Sequence, residues 1–91
     1  MYQVKVRARF ERAIKKLDKE LQRMIINEIE ILADDPFAHQ NVRKISGTDK
    51  PFYRLRIGRW RVLYILITKD RVIEIIDIFI KQSDNDYKKR L

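Results

Sequence analysis

The sequence has no cysteine and a single histidine, and only two glycines and two prolines in 91 residues. Without cysteine there is no disulfide framework and no thiolate metal site. One histidine excludes a His-rich metal site as well. So little glycine and proline argues against a linker or a disordered tail. Long apolar runs are also missing. The longest, Val62 to Ile67, has six residues, far short of the roughly 20 that a membrane helix needs. Lys5, Arg7 and Arg9 interrupt the first ten residues, so no secretory signal peptide is expected. These absences predict a soluble cytoplasmic protein with no membrane partner, in a reducing compartment that fits the lack of cysteine.

Positive charge is what the chain has in excess. It carries 21 Lys and Arg against 13 Asp and Glu, a formal net charge of +8. Apolar residues make up 45% of the chain, enough for one small core and a single domain over residues 1–91. Phosphate is the default partner of such an excess; plain solubility is the blander reading.

Hydrophobic periodicity divides the chain. Tyr2 to Val6 alternates apolar and polar residues, which predicts a short strand. Phe10, Ala13, Ile14 and Leu17 recur at helical spacing, with Arg12, Lys15 and Lys16 off the stripe. Asp18 can cap a second helix, whose stripe is Leu21, Met24, Ile25, Ile29 and Leu32. Asp34-Asp35-Pro36 ends it, because a residue before proline disfavours the helical region. The pair predicts an αα-hairpin. From Pro36 to Lys50 a loop is expected, anchored on the core by Phe37, Val42 and Ile45, with a turn at Ser46 to Asp49. Phe52 to Ile57, Trp60 to Thr68 and Val72 to Ile80 are rich in β-branched and aromatic residues and predict strands. Gly58-Arg59 and Lys69-Asp70 are the expected turns. Ser83 is the expected cap of a short C-terminal helix. The predicted order is β-α-α-β-β-β, an α+β fold with the helix hairpin on one face of a mostly antiparallel sheet. The order of strands within that sheet does not follow from the sequence.

The charge is locally uneven. Lys50 to Lys69 holds six basic residues and no acidic one, including Arg54, Arg56, Arg59 and Arg61. Strand parity puts Tyr53, Leu55 and Ile57 toward the helices and Arg54 and Arg56 on the open face, roughly 7 Å apart. Arg61 opens the next strand, and Lys81 ends the last, at the parity of Ile75, Asp77 and Phe79. Basic residues on an exposed sheet face also serve simply to block edge pairing. Crowded arginines without carboxylates favour a phosphate ligand instead, because the planar fork fits phosphate oxygens. The last two long strands are apolar at both parities, so both sheet faces should be covered. A dimer or a partner segment is expected on the face opposite the helices, in preference to a curled sheet that covers itself.

Several stretches together resemble the RelE/ParE superfamily of toxin–antitoxin toxins. They are Lys44-Ile45-Ser46-Gly47, Phe52 to Tyr64 (FYRLRIGRWRVLY), Val72 to Phe79, Lys81 and Tyr87. The resemblance spans essentially the whole chain and favours the RelE-like branch. It implies a metal-independent endoribonuclease, without cofactor, that cuts mRNA at the ribosome. A ribose 2′-OH would attack the adjacent phosphate and leave a 2′,3′-cyclic phosphate. Carried over by motif, the catalytic set is Arg54, Arg56, Arg61, Lys81 and Tyr87, with Lys44, Lys50 and Arg59 as flanking RNA-binding cations. Arg61 and Arg56 would hold the phosphate. Tyr87 would stack on a base or assist the 2′-OH proton, and Lys81 would protonate the leaving 5′ oxygen. RelE itself has Lys at the positions of Arg54 and Arg56, and Arg at that of Lys81. Arg keeps its proton and is a poor proton-transfer group, so the general base is open. Asp77, Asp84 and Asp86 are candidates, although caps or surface carboxylates are their ordinary roles. His39 matches no site position and reads as structural. The resemblance further implies an antitoxin partner that wraps the toxin, and an acidic segment of it crossing the basic patch would cancel part of the +8. Its alternatives are a ParE-like inhibitor of DNA gyrase and an RNA-binding relative without catalysis.

Overall fold

A computed structural model describes residues 1–82 and 86–90. Its elements are strand β1 (Gln3–Val6), helices α1 (Ala8–Lys15) and α2 (Lys19–Asp34), strands β2 (Val42–Lys44), β3 (Phe52–Ile57), β4 (Trp60–Ile67) and β5 (Val72–Ile80), and helix α3 (Asp86–Arg90). The five strands form one sheet in the order β1-β5-β4-β3-β2. The β1–β5 pair is parallel and the other pairs are antiparallel. A parallel pair needs a crossover, and the helix hairpin begins it. No helix among the described residues is long and apolar enough to cross a membrane.

The helices begin and end as their sequences dictate. The Asp18 side chain accepts the Leu21 N–H at 2.9 Å, which caps α2. Asp35, before Pro36, is extended at φ −154° and ends it. The stripe that packs is Ile25, Ile29, Leu32 and Ala33, while Met24 lies on the flank and is exposed. The Gly58-Arg59 turn joins Ile57 to its partner Trp60, with Gly58 at φ +58°. A positive φ at the first loop residue suits a two-residue hairpin and favours glycine there.

Three expectations are corrected. Val42–Lys44 is an edge strand and not loop, because it hydrogen-bonds along Tyr53 to Leu55. Val42 and Ile45 do pack on the core, but Phe37 does not and is 70% exposed. Its N–H donates to Asp35 Oδ1, a local turn that aims the ring outward, and Pro36 is buried in its stead. The second correction concerns β5. Its register with β4 runs from Leu63↔Asp77 to Tyr64↔Ile75 and skips Ile76. This bulge reverses parity. Ile73, Ile75 and Ile78 all face the helices, whereas Ile76 and Phe79 face away.

The third correction is the far sheet face. It is buried within the single chain: Leu63, Ile65, Ile76, Phe79 and Phe52 form a second cluster with Tyr87 of α3. Tyr87 meets Phe79 edge-on at 5.6 Å between centroids, and the Arg90 guanidinium lies 4.0 Å above the Phe79 ring. Arg90 also approaches Asp77 Oδ2 at 3.2 Å. Five residues cannot hold a helix alone, so these contacts hold α3 in place. Large exposed apolar side chains lie elsewhere, at Val4 and Val6 of β1, at Met24, Ile26 and Ile31 of α2, and at Met1 and Phe37. The expected cap, Ser83, lies outside the described residues.

Candidate functional site

Strand pairing gathers four arginines on the face away from the helix hairpin. Arg43 of β2 stands directly opposite Arg54 of β3, and Arg56 of β3 directly opposite Arg61 of β4. Like charges in opposed positions destabilise a sheet, so this block works against stability unless an anion meets it. Burial pushes the Arg54 guanidinium below its ordinary value; Tyr87 opposes this, and Arg43, Arg61 and Arg56 add to it.

The guanidinium groups are aimed by fixed acceptors. Arg54 Nη1 donates to the Asn41 carbonyl at 2.8 Å. Arg56 Nη2 donates to Asn41 Oδ1 at 3.2 Å, and the Arg56 backbone N–H donates to the Asn41 carbonyl at 2.9 Å. Arg61 Nη1 donates to the carbonyls of Gly58 and Trp60 at 2.9 and 3.0 Å, folded over its own hairpin turn.

Beside this block runs a groove of about 310 Å³, lined by Arg43, Lys44, Ile45, Ser46, Arg54, Lys81 and Tyr87. Among the described residues no carboxylate belongs to that lining. Lys81 Nζ lies 5.6 Å from the Tyr87 ring centroid, within cation–π reach. The Tyr87 hydroxyl is enclosed and makes no hydrogen bond among the described residues. Tyr87 therefore meets the groove with atoms other than its hydroxyl.

The structure thus brings Arg54, Lys44, Lys81 and Tyr87 to one groove, with Arg56 and Arg61 beside it on the same sheet face. Arg59 sits exposed on the hairpin turn at the same end as Arg61. Lys50 stands apart. It precedes β3, roughly 20 Å of strand from Arg59, and lines a different groove with Arg7, Lys69 and Glu74. The carboxylates proposed as bases are otherwise engaged. Asp77 is buried, accepts the Ile78 N–H and pairs with Arg90. Asp86 accepts the Gln82 N–H. Asp84 lies outside the described residues. Sequence reasoning missed Arg43 and Asn41. Arg43 becomes visible only once Val42–Lys44 is known to pair with β3, and nothing local marks Asn41.

Fold and site together define a small basic α+β domain that carries four arginines on the sheet face away from the helix hairpin, beside the covered apolar cluster. The sequence model of the ParE toxin of the type II toxin-antitoxin system, parDE, matches residues 4–85. Among solved structures, the archaeal RelE of a RelE–RelB complex from Pyrococcus horikoshii OT3 is 32% identical, with a TM-score of 0.76 over 87% of this chain and 93% of that one. The isolated E. coli RelE toxin is 16% identical, with a TM-score of 0.74 over 98% and 94% of the two chains. The toxin–antitoxin complex RelBE2 from Mycobacterium tuberculosis is likewise 16% identical, with a TM-score of 0.75 over 88% and 98%. These last two show the fold alone. No curated protein matches the sequence. The chain belongs to the RelE/ParE superfamily and is a toxin of the type II toxin–antitoxin kind.

Proposed function

We propose that the chain is an mRNA endoribonuclease that stops translation at the ribosome and uses neither metal nor cofactor. The observation that carries this reading is the pair of opposed arginine couples beside a groove that also holds Lys81 and Tyr87, with no carboxylate in its lining among the described residues. A ribose 2′ oxygen attacks the neighbouring phosphate. The bond to the 5′ oxygen breaks, leaving a 2′,3′-cyclic phosphate and a 5′-OH. Arg61 and Arg56 hold the phosphate and stabilise the charge that grows on it. Lys81 protonates the departing 5′ oxygen. Tyr87 supports a base with its ring. Arg54, Lys44 and Arg59 extend the track for the RNA backbone, whereas Lys50 meets it only if the strand continues past the far end of the sheet.

A cognate antitoxin completes the reading, as RelB does for the RelE proteins solved with it. An acidic segment fits the arginine face. Its apolar contacts fit the exposed side chains of α2 and the β1 edge, since the apolar part of the far sheet face is already covered. The test is primer extension on mRNA after expression of the chain, with and without ribosomes. Discrete cuts in the wild type that vanish with Arg61→Ala are expected; a folded Arg61→Ala that cuts at the wild-type rate refutes the site. The ParE match favours one second reading, inhibition of DNA gyrase. Loss of supercoiling activity at low toxin concentration, with no mRNA cuts, would establish it instead.

A further inference from the structure

His39 belongs to none of the expected chemistry, yet it is among the most constrained polar groups in the molecule. Its side chain is 8% exposed, and both ring nitrogens are occupied. Nε2 lies 3.0 Å from Glu28 Oε2 of α2, and Nδ1 lies 3.1 Å from the backbone nitrogen of Asn41. A backbone N–H only donates, so Nδ1 is the bare nitrogen. The ring proton then sits on Nε2 and is donated to Glu28. Asn41, held in this way, accepts from Arg54 through its carbonyl and from Arg56 through its side chain. One chain of hydrogen bonds thus crosses from the helix layer to the arginine face: Glu28, His39, Asn41, then Arg54 and Arg56.

We infer that His39 is a positioning residue that sets the guanidinium positions of Arg54 and Arg56 through Asn41. Long cationic side chains that repel one another spread into solvent unless an acceptor fixes them. Asn41 is such an acceptor for two of the four arginines, and it lies just before the short edge strand β2. That segment is tied to β3 by the Arg56 backbone N–H, which donates to the Asn41 carbonyl at 2.9 Å. His39 ties it to α2, whose Ile25 and Leu32 are fully buried. The consequence for RNA cleavage rests on the nuclease reading above; the positioning itself does not.

Two arms keep those claims separate. In the first, the side-chain Nε–Hε signals of Arg54, Arg56 and Arg61 are recorded by NMR in the wild type, His39→Ala and His39→Asn, with the fold checked by melting. His39→Ala should move the Arg54 and Arg56 signals toward solvent-exposed values and leave Arg61 in place. His39→Asn should restore them, because its side-chain oxygen can accept the same N–H two residues on. If His39→Ala does not fold, Glu28→Leu, which frees the ring and leaves it in the chain, should move the same two signals. Unmoved Arg54 and Arg56 signals in a folded variant, or no restoration by His39→Asn, overturn the inference. In the second arm, cleavage of ribosome-bound mRNA should fall roughly tenfold or more in His39→Ala, mainly in kcat, and recover in His39→Asn. A wild type that cuts nothing defeats the nuclease reading and leaves the first arm to decide the positioning. An active wild type with an unaffected His39→Ala overturns the inference as it bears on catalysis.

Discussion

Arg43→Gln should make the protein more stable and worse at binding RNA. Arg43 is exposed, stands directly opposite Arg54 and adds to the depression of its guanidinium. Among the described residues no side-chain hydrogen bond or ion pair holds Arg43, so the substitution removes charge and little else. Two unit charges about 7 Å apart in water repel by about 0.6 kcal/mol, which agrees with the range for opposed like charges in a sheet. Relief of that order raises Tm by roughly 2–5 °C in a domain of this size. The gain should shrink toward zero near 1 M salt, where the Debye length is about 3 Å. RNA binding should change in the opposite sense. If the four arginines each meet one phosphate of a single strand, the slope of log K against log salt is about −2.8, and losing one leaves about −2.1. Scanning calorimetry at low and high salt, with fluorescence anisotropy on a short single-stranded RNA, measures both. A Tm that falls at low salt, or a slope that does not move, refutes the account of the arginine block.

The remaining predictions concern other parts of the molecule. The Tyr64 hydroxyl is fully buried without a hydrogen bond among the described residues, and burial, then Tyr53, pushes its pKa well above the usual tyrosine value. An acid whose folded pKa is raised loses its contribution as pH climbs past the unfolded pKa, about 10. Tyr64→Phe should therefore stabilise by about 1 kcal/mol at neutral pH and flatten the stability loss above about pH 10, followed by urea denaturation across pH. Asp77→Ala should free α3, costing about 1–3 kcal/mol, because Arg90 loses its partner and the Ile78 N–H its acceptor. Faster proteolysis at the C-terminal end is the readout, and unchanged protection would count against the proposed anchoring. Tyr87→Ala should slow mRNA cleavage about tenfold, from the roughly 1–3 kcal/mol of a lost stack between ring and base, and an unchanged rate in primer extension removes Tyr87 from the mechanism.

Much of the fold is legible because it is local. The Asp18 cap, the stop at Pro36, the stripe of α1 and the Gly58 turn each depend on a few neighbouring residues, and each forms where its pattern puts it. Parity within β3 is equally local, and it places Arg54 and Arg56 opposite to Leu55 and Ile57 as expected. The resemblance carried by the Phe52 to Tyr64 stretch also points to the right superfamily.

What the sequence could not decide depends on partners distant along the chain. Ile76 is as apolar as its neighbours, so only the pairing with β4 shows that it is a bulge and that Ile75 turns to the helices. The three residues of β2 carry too little pattern to be read as a strand until β3 lies beside them, and Arg43 enters the site only with that pairing. The apolar far face seemed to need another molecule because the reach of Tyr87 and Arg90 over Phe79 is invisible to periodicity. Composition by itself excluded disulfides and thiolate metal sites and, with strand parity, exposed the arginines. The tertiary structure alone decided which of them face one another and tied their positions, through Asn41 and His39, to a glutamate on the other layer, because hydrogen bonds between layers join residues that no sequence spacing relates.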